Sequence, residues 1–199
     1  MPETKPKDRE NWRDNVKTVI YAILIALVIR TLAYEPFSIP SGSMLPTLLI
    51  GDYIFVAKYP YGYSKHSMPL SPPLFSGRIN ESRVERGDVA VFKLPTDNST
   101  DYIKRIIGLP GDRIQVTGGV LHINNKAVKR KRVEDFVNRQ PSARYGRVAQ
   151  YEEILPNGRT YLTLDLHSDS VADDTDVYVV PAGHYLEIDL QNFIDSPGV

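Results

Sequence analysis

Polar and apolar positions change character sharply along this chain. The first 17 residues, MPETKPKDRENWRDNVK, are polar and carry charges of both signs. An uninterrupted apolar run comes next, Val19–Ile29, and it extends to Val16–Ala33 only by including Lys17 and Arg30. A helix that crosses a bilayer needs about 20 mainly apolar residues, with about 17 near the minimum. Lys17 and Arg30 stand near the ends of the run, where long cationic side chains reach the headgroups. Trp12 and Tyr34 stand where interfacial aromatics belong. The pattern predicts a transmembrane anchor over 16–34 behind a tail over 1–15. A cleaved leader fits poorly, because IRTLAYEPF has no A-x-A-like site. A buried helix of a soluble domain would intersperse polar positions. Lys5, Lys7, Arg9, Arg13 and Lys17 precede the run and only Arg30 closely follows it, which places the tail on the cytoplasmic side.

From Tyr53 onward the pattern becomes one of strands and turns. YIFVAK (53–58), DVAVFKL (88–94), YIKRIIGL (102–109), DRIQV (112–116), VLHI (120–123) and YLTLDL (161–166) are short and rich in β-branched and aromatic residues. Gly, Pro or Asn bound them. TGGVLHINNKAV predicts two tight reversals, at Gly118-Gly119 and Asn124-Asn125. VYVVPAGHYLEI reads as late strands interrupted by a Pro-Ala-Gly turn. The proline-rich segment 59–83 has no period and reads as an extended loop near the membrane. KRKRVEDFV (129–137) opens with four consecutive cations, a solvated edge or loop. The fold class expected is mostly β with one N-terminal helix.

Composition narrows the function. The 199 residues are 42% hydrophobic and 24% charged, enough for one folded domain with an appendage. Lys and Arg total 24 and Asp and Glu total 24, so the basic excess of a nucleic-acid binder is missing. There is no cysteine, which removes disulfides, thiolate metal sites and a cysteine nucleophile. His66, His122, His167 and His184 lie far apart without the paired spacing of metal ligands, and no metal or cofactor is expected.

Candidate chemistry begins at PFSIPSGSMLPTLLI (36–50). A serine nucleophile needs a base for its proton and donors for the oxyanion it creates. None of the histidines has a persuasive setting, and there is no G-x-S-x-G elbow. A lysine can serve as the base when burial in apolar surroundings keeps its amine neutral. Lys104, within DYIKRIIGLPGD, has Tyr102, Ile103, Ile106 and Ile107 as close neighbours. Strand alternation puts Tyr102, Lys104 and Ile106 on one face. Taken singly, Ser43 reads as a turn serine and Lys104 as a solvated strand lysine. Their flanks favour chemistry. Gly42 allows close backbone approach, Pro40 and Pro46 stiffen the loop, and Ser41 adds a second hydroxyl.

PSGSMLPTLLIGDY (40–53), RGDVAVFK (86–93), DYIKRIIGLPGD (101–112) and VPAGHY (180–185) together closely resemble the bacterial type I signal peptidases, membrane-anchored Ser/Lys proteases. The resemblance runs from about Asn11 to Tyr185. It implies Ser43 as nucleophile, Lys104 as general base, and the Ser43 N–H with the Ser41 hydroxyl as oxyanion hole. It implies apolar pockets for small residues of the substrate at Phe37, Ile39, Met44, Leu48, Ile54, Val91 and Ile103, with the peptide pairing as an added strand beside Asp101 and Tyr102. The expected substrates are preproteins with A-x-A-like sites. The expected location is the cytoplasmic membrane, crossed once, with the catalytic domain over 35–199 on the outer side.

The chain departs from the family after His184-Tyr185. Relatives continue with a box close to G-D-N-R-D-N-S-x-D-S-R, where this chain reads LEIDLQNFIDSPGV. Asp195-Ser196 match the D-S pair, which would let Asp195 pair with Arg105. The serine that supports the lysine falls on Phe193, and the arginine falls on Pro197. The expectation is a domain shortened at its C-terminal end, with Arg105, Asp195 and Ser196 as structural support. The alternative is an impaired paralogue that binds signal peptides without cutting them. A soluble self-cleaving Ser/Lys repressor-type domain fits less well, because of the apolar run at 19–29.

Overall fold

A computed structural model of the chain describes residues 7–68, 76–94, 96–97, 99–138, 146–166, 173–188 and 193–197, with backbone alone at 7–11, 188 and 193–197. The chain divides into two compact units. The first comprises Met1–Phe37 and Ile54–Ser82, and the second Ser38–Tyr53 and Arg83–Val199.

In the first unit, helix α1 (Lys7–Leu32) contains the predicted apolar run. It starts well ahead of residue 16, because Lys, Arg and Glu are good helix formers and extending a helix needs no new nucleus. Trp12–Leu32, 21 residues, is long and apolar enough to cross a membrane, and its apolar side chains stand exposed. At 1.5 Å per residue it spans about 30 Å, the hydrocarbon thickness of a bilayer. Hydrogen bonds tie the C-terminal end of the helix to the rest of this unit. The Tyr63 hydroxyl donates to the Leu32 carbonyl at 2.7 Å, and the Lys58 N–H donates to Ala33 at 2.9 Å. Strands β1 (Tyr34–Ser38) and β2 (Tyr53–Ala57) pair as a two-stranded ribbon. The Lys58 ammonium meets Glu35 at 2.9 Å and so braces the ribbon. Within the segment read as a loop, Tyr63 bridges to Ile79, and a short turn of 3-10 helix forms at Lys65–Ser67.

Among the described residues, the second unit contains three sheets. The strands are β3 (Val89–Lys93), β4 (Asp101–Gly108), β5 (Arg113–Thr117), β6 (Val120–Ile123), β7 (Lys126–Ala127), β8 (Lys129–Arg132), β9 (Phe136–Val137), β10 (Arg147–Ile154), β11 (Thr160–Asp165), β12 (Tyr178–Val179), β13 (His184–Ile188) and β14 (Phe193–Pro197). One sheet has the order β14-β13-β4-β3, a second β12-β5-β6-β7, and the third β11-β10-β8 with β9 also on β10. Ile107, Ile114, Leu121, Ile123, Val180 and Leu186 are among the buried residues of the main core. Both predicted reversals are present. Thr117 faces Val120 and Ile123 faces Lys126 across the turns, with Asn124 and Asn125 at φ 53° and 64°. Asparagine tolerates this left-handed backbone better than most residues.

The cationic segment takes the edge among the alternatives read for it, and a further strand was not read from the sequence. Residues 129–132 form an edge strand, with Arg130 and Arg132 over the Tyr151 ring at 4.5 and 5.4 Å. Arginine stacking of this kind removes the need for a loop to solvate the cations. Strand β10 was not expected from RVAQYEEI, because a buried Glu153 breaks the alternation of apolar residues.

The sheets are fastened by a contact between two of the sequence motifs. Arg86 of RGDVAVFK reaches Asp112 of DYIKRIIGLPGD at 2.7 Å and also bonds the Ile107 carbonyl. Burial works against the Asp112 carboxylate, but the Leu109 N–H, the Asn124 amide and the Arg86 guanidinium together hold its pKa below the ordinary value. A depressed pKa adds stability above the unfolded-state value of about 4 and loses it as pH falls through the folded value. Asp112→Ala strands a mostly buried guanidinium, so it is expected to cost about 3 kcal/mol. Thermal unfolding of the detergent-solubilised chain should show a melting point lower by about 10 °C. The wild type should lose this advantage progressively as pH falls from about 4 through the folded value. A variant that melts like wild type at pH 7 would refute the role given to this pair.

Candidate active site

The loop carrying the two serines is closed at its base by main-chain hydrogen bonds. Ile39 donates to Asp52 at 2.9 Å and Gly51 donates to Ile39 at 2.8 Å. Within the loop, Leu45 donates to Gly42 at 3.1 Å and Leu48 to Met44 at 3.0 Å. The Asp52 carboxylate accepts the Leu49 N–H at 2.8 Å. Two prolines and these bonds make a stiff turn. A Cβ on Gly42 would stand 3.0 Å from Leu45 Cδ1, so the turn closes tightly where the sequence has glycine. Ser43 is half-buried and Ser41 exposed, with their hydroxyl oxygens 3.5 Å apart. Among the described residues, the Ser43 N–H has no acceptor.

Lys104 is at the middle of β4, opposite Ala90 of β3. It is 2% exposed, which a solvated strand lysine would not be. Its amine stands 5.7 Å from the centre of the Tyr102 ring, and that ring lies 6.1 Å from Phe92. Ile106, on the same face by alternation, is fully buried. Val91 pairs with Ile103, and both are half-buried. Ile39 and Met44 are buried and Leu48 half-buried in this unit. Phe37 and Ile54, the other residues expected to line the pockets, belong to the first unit, where both are half-buried. Asp101 and Tyr102 pair with Lys93 and Phe92 of β3. Along the other edge of β4 the register with β13 ends at Arg105, which leaves 101–104 without a second strand among the described residues.

Arg105 points into a cluster that sequence reading did not assemble. It donates to the Gly87 carbonyl at 2.9 Å and to the Thr47 hydroxyl of the serine loop at 3.2 Å. Its guanidinium lies 5.0 Å from the Tyr161 ring, and the Tyr161 hydroxyl donates to Glu153. Burial pushes the Glu153 carboxyl up despite that bond and nearby Arg130. Burial and the adjacent Glu153 raise Tyr161 well above the ordinary tyrosine value, and burial lowers Arg105. Tyr161 reaches the cluster only through the pairing of β10 with β11, which sets it opposite Glu153. No local motif could have announced it. The expected contact of Arg105 with Asp195, the side chains of Ser196 and Phe193, and the whole of His167 lie outside the described residues. In backbone register, Asp195 faces Leu186 and Ser196 faces Tyr185.

Comparison with known proteins identifies consistent relatives. A family profile described as signal peptidase, peptidase S26, matches residues 12–196. A signal peptidase I from Rickettsia canadensis (strain McKiel) is 41% identical over 191 residues, covering 92% of this chain and 71% of the relative. One from Rickettsia typhi (strain ATCC VR-144 / Wilmington) is 43% identical over 191 residues, covering 87% and 71%. One from Rickettsia prowazekii (strain Madrid E) is 44% identical over 194 residues, covering 89% and 71%.

Proposed function

The chain belongs to the S26 signal peptidase family, and from that membership we propose that it is a membrane-anchored serine endopeptidase that removes signal peptides with a Ser43/Lys104 dyad. The anchor is the apolar segment over 16–34, the tail over 1–15 is cytoplasmic, and the β domain over 35–199 works on the outer side of the cytoplasmic membrane. The observation that most supports the dyad is the burial of Lys104 in an apolar strand.

The uncharged Lys104 amine takes the Ser43 proton as Oγ attacks the scissile carbonyl. The Ser43 N–H and the Ser41 hydroxyl donate to the oxygen that becomes negative. Lys104 then passes its proton to the leaving amine, and an acyl-enzyme remains on Ser43. A water gives its proton to Lys104 and attacks the ester, and Lys104 returns that proton to the Ser43 oxygen as it leaves. An extended peptide adds as a strand beside Asp101 and Tyr102. Shallow apolar pockets at Met44, Val91 and Ile103 admit alanine-sized side chains and exclude bulk, without discriminating finely among small ones.

The test is incubation of the detergent-solubilised full chain with a preprotein bearing an A-x-A site, and then N-terminal sequencing of the product. Cleavage after that site is expected. Cleavage that persists in both Ser43→Ala and Lys104→Ala would sink the assignment. Binding of the signal peptide without turnover by the wild type would instead support the non-cutting paralogue, whose basis is Phe193 at the position of the supporting serine.

A further inference from the structure

Glu187 is buried to 0% exposure on β13, although glutamate is almost never fully buried unless it is paired. Strand β13 lies directly beside β4, and Glu187 stands opposite Ile106. Residues opposite one another on antiparallel strands project from the same face of the sheet. Alternation along β4 puts Lys104 on that face as well. Glu187 and Lys104 are therefore diagonal cross-strand neighbours. Diagonal Cβ atoms are separated by about 7 Å, a gap that two long side chains close easily. The register with β4 shifts between Leu186 and Glu187, an irregularity of the kind that re-aims side chains.

The physical case rests on both groups being out of water. A buried carboxylate or a buried ammonium is costly alone, whereas the two on one sheet face compensate each other. Among the described residues, the neighbours on the flanking strands are uncharged or bind other groups. Ala90 and Ile106 are uncharged, and Tyr102 presents its ring to Lys104. Asp88, ahead of β3, accepts from the Glu85 N–H at 2.9 Å and binds Arg159. On β14, Ile194 is in register with Glu187. The family pattern would place a supporting serine near the lysine, and this chain has Phe193 there.

We propose that Glu187 is the positioning residue for Lys104: its carboxylate holds and aims the amine and sets the pH above which Lys104 serves as base. The proposal rests on the Ser43/Lys104 dyad of the proposed function. Below that pH the pair is carboxylate and ammonium. As pH rises, the ammonium loses a proton to solvent, and the remaining N–H bonds to Glu187 keep the lone pair directed at Ser43. Only then does the Ser43 proton move to Lys104.

The experiment compares pH profiles of kcat/KM for preprotein cleavage by the full chain in detergent. The variants are Glu187→Gln, Glu187→Leu and, as a control two residues further along the sequence, Asp189→Asn. Removing the charge favours the neutral amine, so Glu187→Gln should move the acidic limb about one pH unit toward acid with KM unchanged. Glu187→Leu should shift the limb and also lower the plateau kcat about 10-fold, since an alkyl chain cannot aim the amine. A merely structural glutamate would leave the limb in place. An unmoved limb in Glu187→Gln, or a limb moved by Asp189→Asn instead, would overturn the proposal. The Lys104 side-chain titration, monitored by 13C NMR and assigned with Lys104→Arg, gives the same answer without turnover. It should move with Glu187→Gln, and a titration that stays in place overturns the proposal. A chain that shows the shift but cleaves nothing would refute the proposed function and leave the pairing standing.

Discussion

Replacing Ser43 by alanine is expected to slow preprotein cleavage by at least about 10,000-fold, and Lys104→Met by a similar factor. Alanine removes the attacking oxygen, and methionine keeps most of the buried stem while removing the atom that accepts its proton. The double variant should be no slower than either single one, because nucleophile and base act as a unit. Ser43 lies half-buried in a loop held by main-chain bonds that alanine leaves intact. Its removal should therefore leave the melting temperature unchanged. Single-turnover assays with enzyme in excess over preprotein would separate the chemical step from binding. If both variants retain more than a tenth of the wild-type rate, another group performs the attack.

Ser41→Ala carries the second-largest expected effect, a fall in kcat of about 100-fold with KM nearly unchanged. The Ser41 hydroxyl is 3.5 Å from the Ser43 oxygen, close enough to serve an oxyanion formed where Ser43 attacks. Such a donor stabilises charge that exists only in the transition state, so its loss appears in kcat and not in KM. Ser41 is exposed, so alanine should be tolerated by the fold. Threonine keeps the hydroxyl and should restore much of the rate. A Ser41→Ala enzyme with raised KM and intact kcat would make Ser41 a substrate contact and leave the oxyanion to other donors. Steady-state kinetics on wild type, alanine and threonine distinguish these outcomes.

Several features were legible because they are local. The apolar run needed no partner to be read: length and lack of charge define a segment able to cross a bilayer. Asn124-Asn125 announced a tight reversal because few other residues adopt its backbone cheaply. The strands at 88–94, 102–109 and 120–123 were evident from β-branched residues between turn formers. The serine loop and the strand of Lys104 were legible as motifs, since the residues of each lie together in the chain.

Other features depended on pairing. Strand β10 was not read from the sequence because Glu153 interrupts its apolar face, and the Tyr161 hydroxyl on the neighbouring strand, with nearby Arg130, offsets that burial. Arg86 and Asp112 were visible as parts of two motifs, but nothing in either indicated that one closes on the other. The same holds for Arg105, whose bond to Thr47 ties the strand of Lys104 to the loop of Ser43. By itself, then, the sequence determined the long apolar helix, the turns, most strands and the residue types able to do chemistry, all set by side-chain period and backbone preference within a few residues. Which buried charges meet was decided by tertiary structure alone. Register between strands distant in sequence selects the partner of each group, and burial makes an unpartnered one too costly to keep.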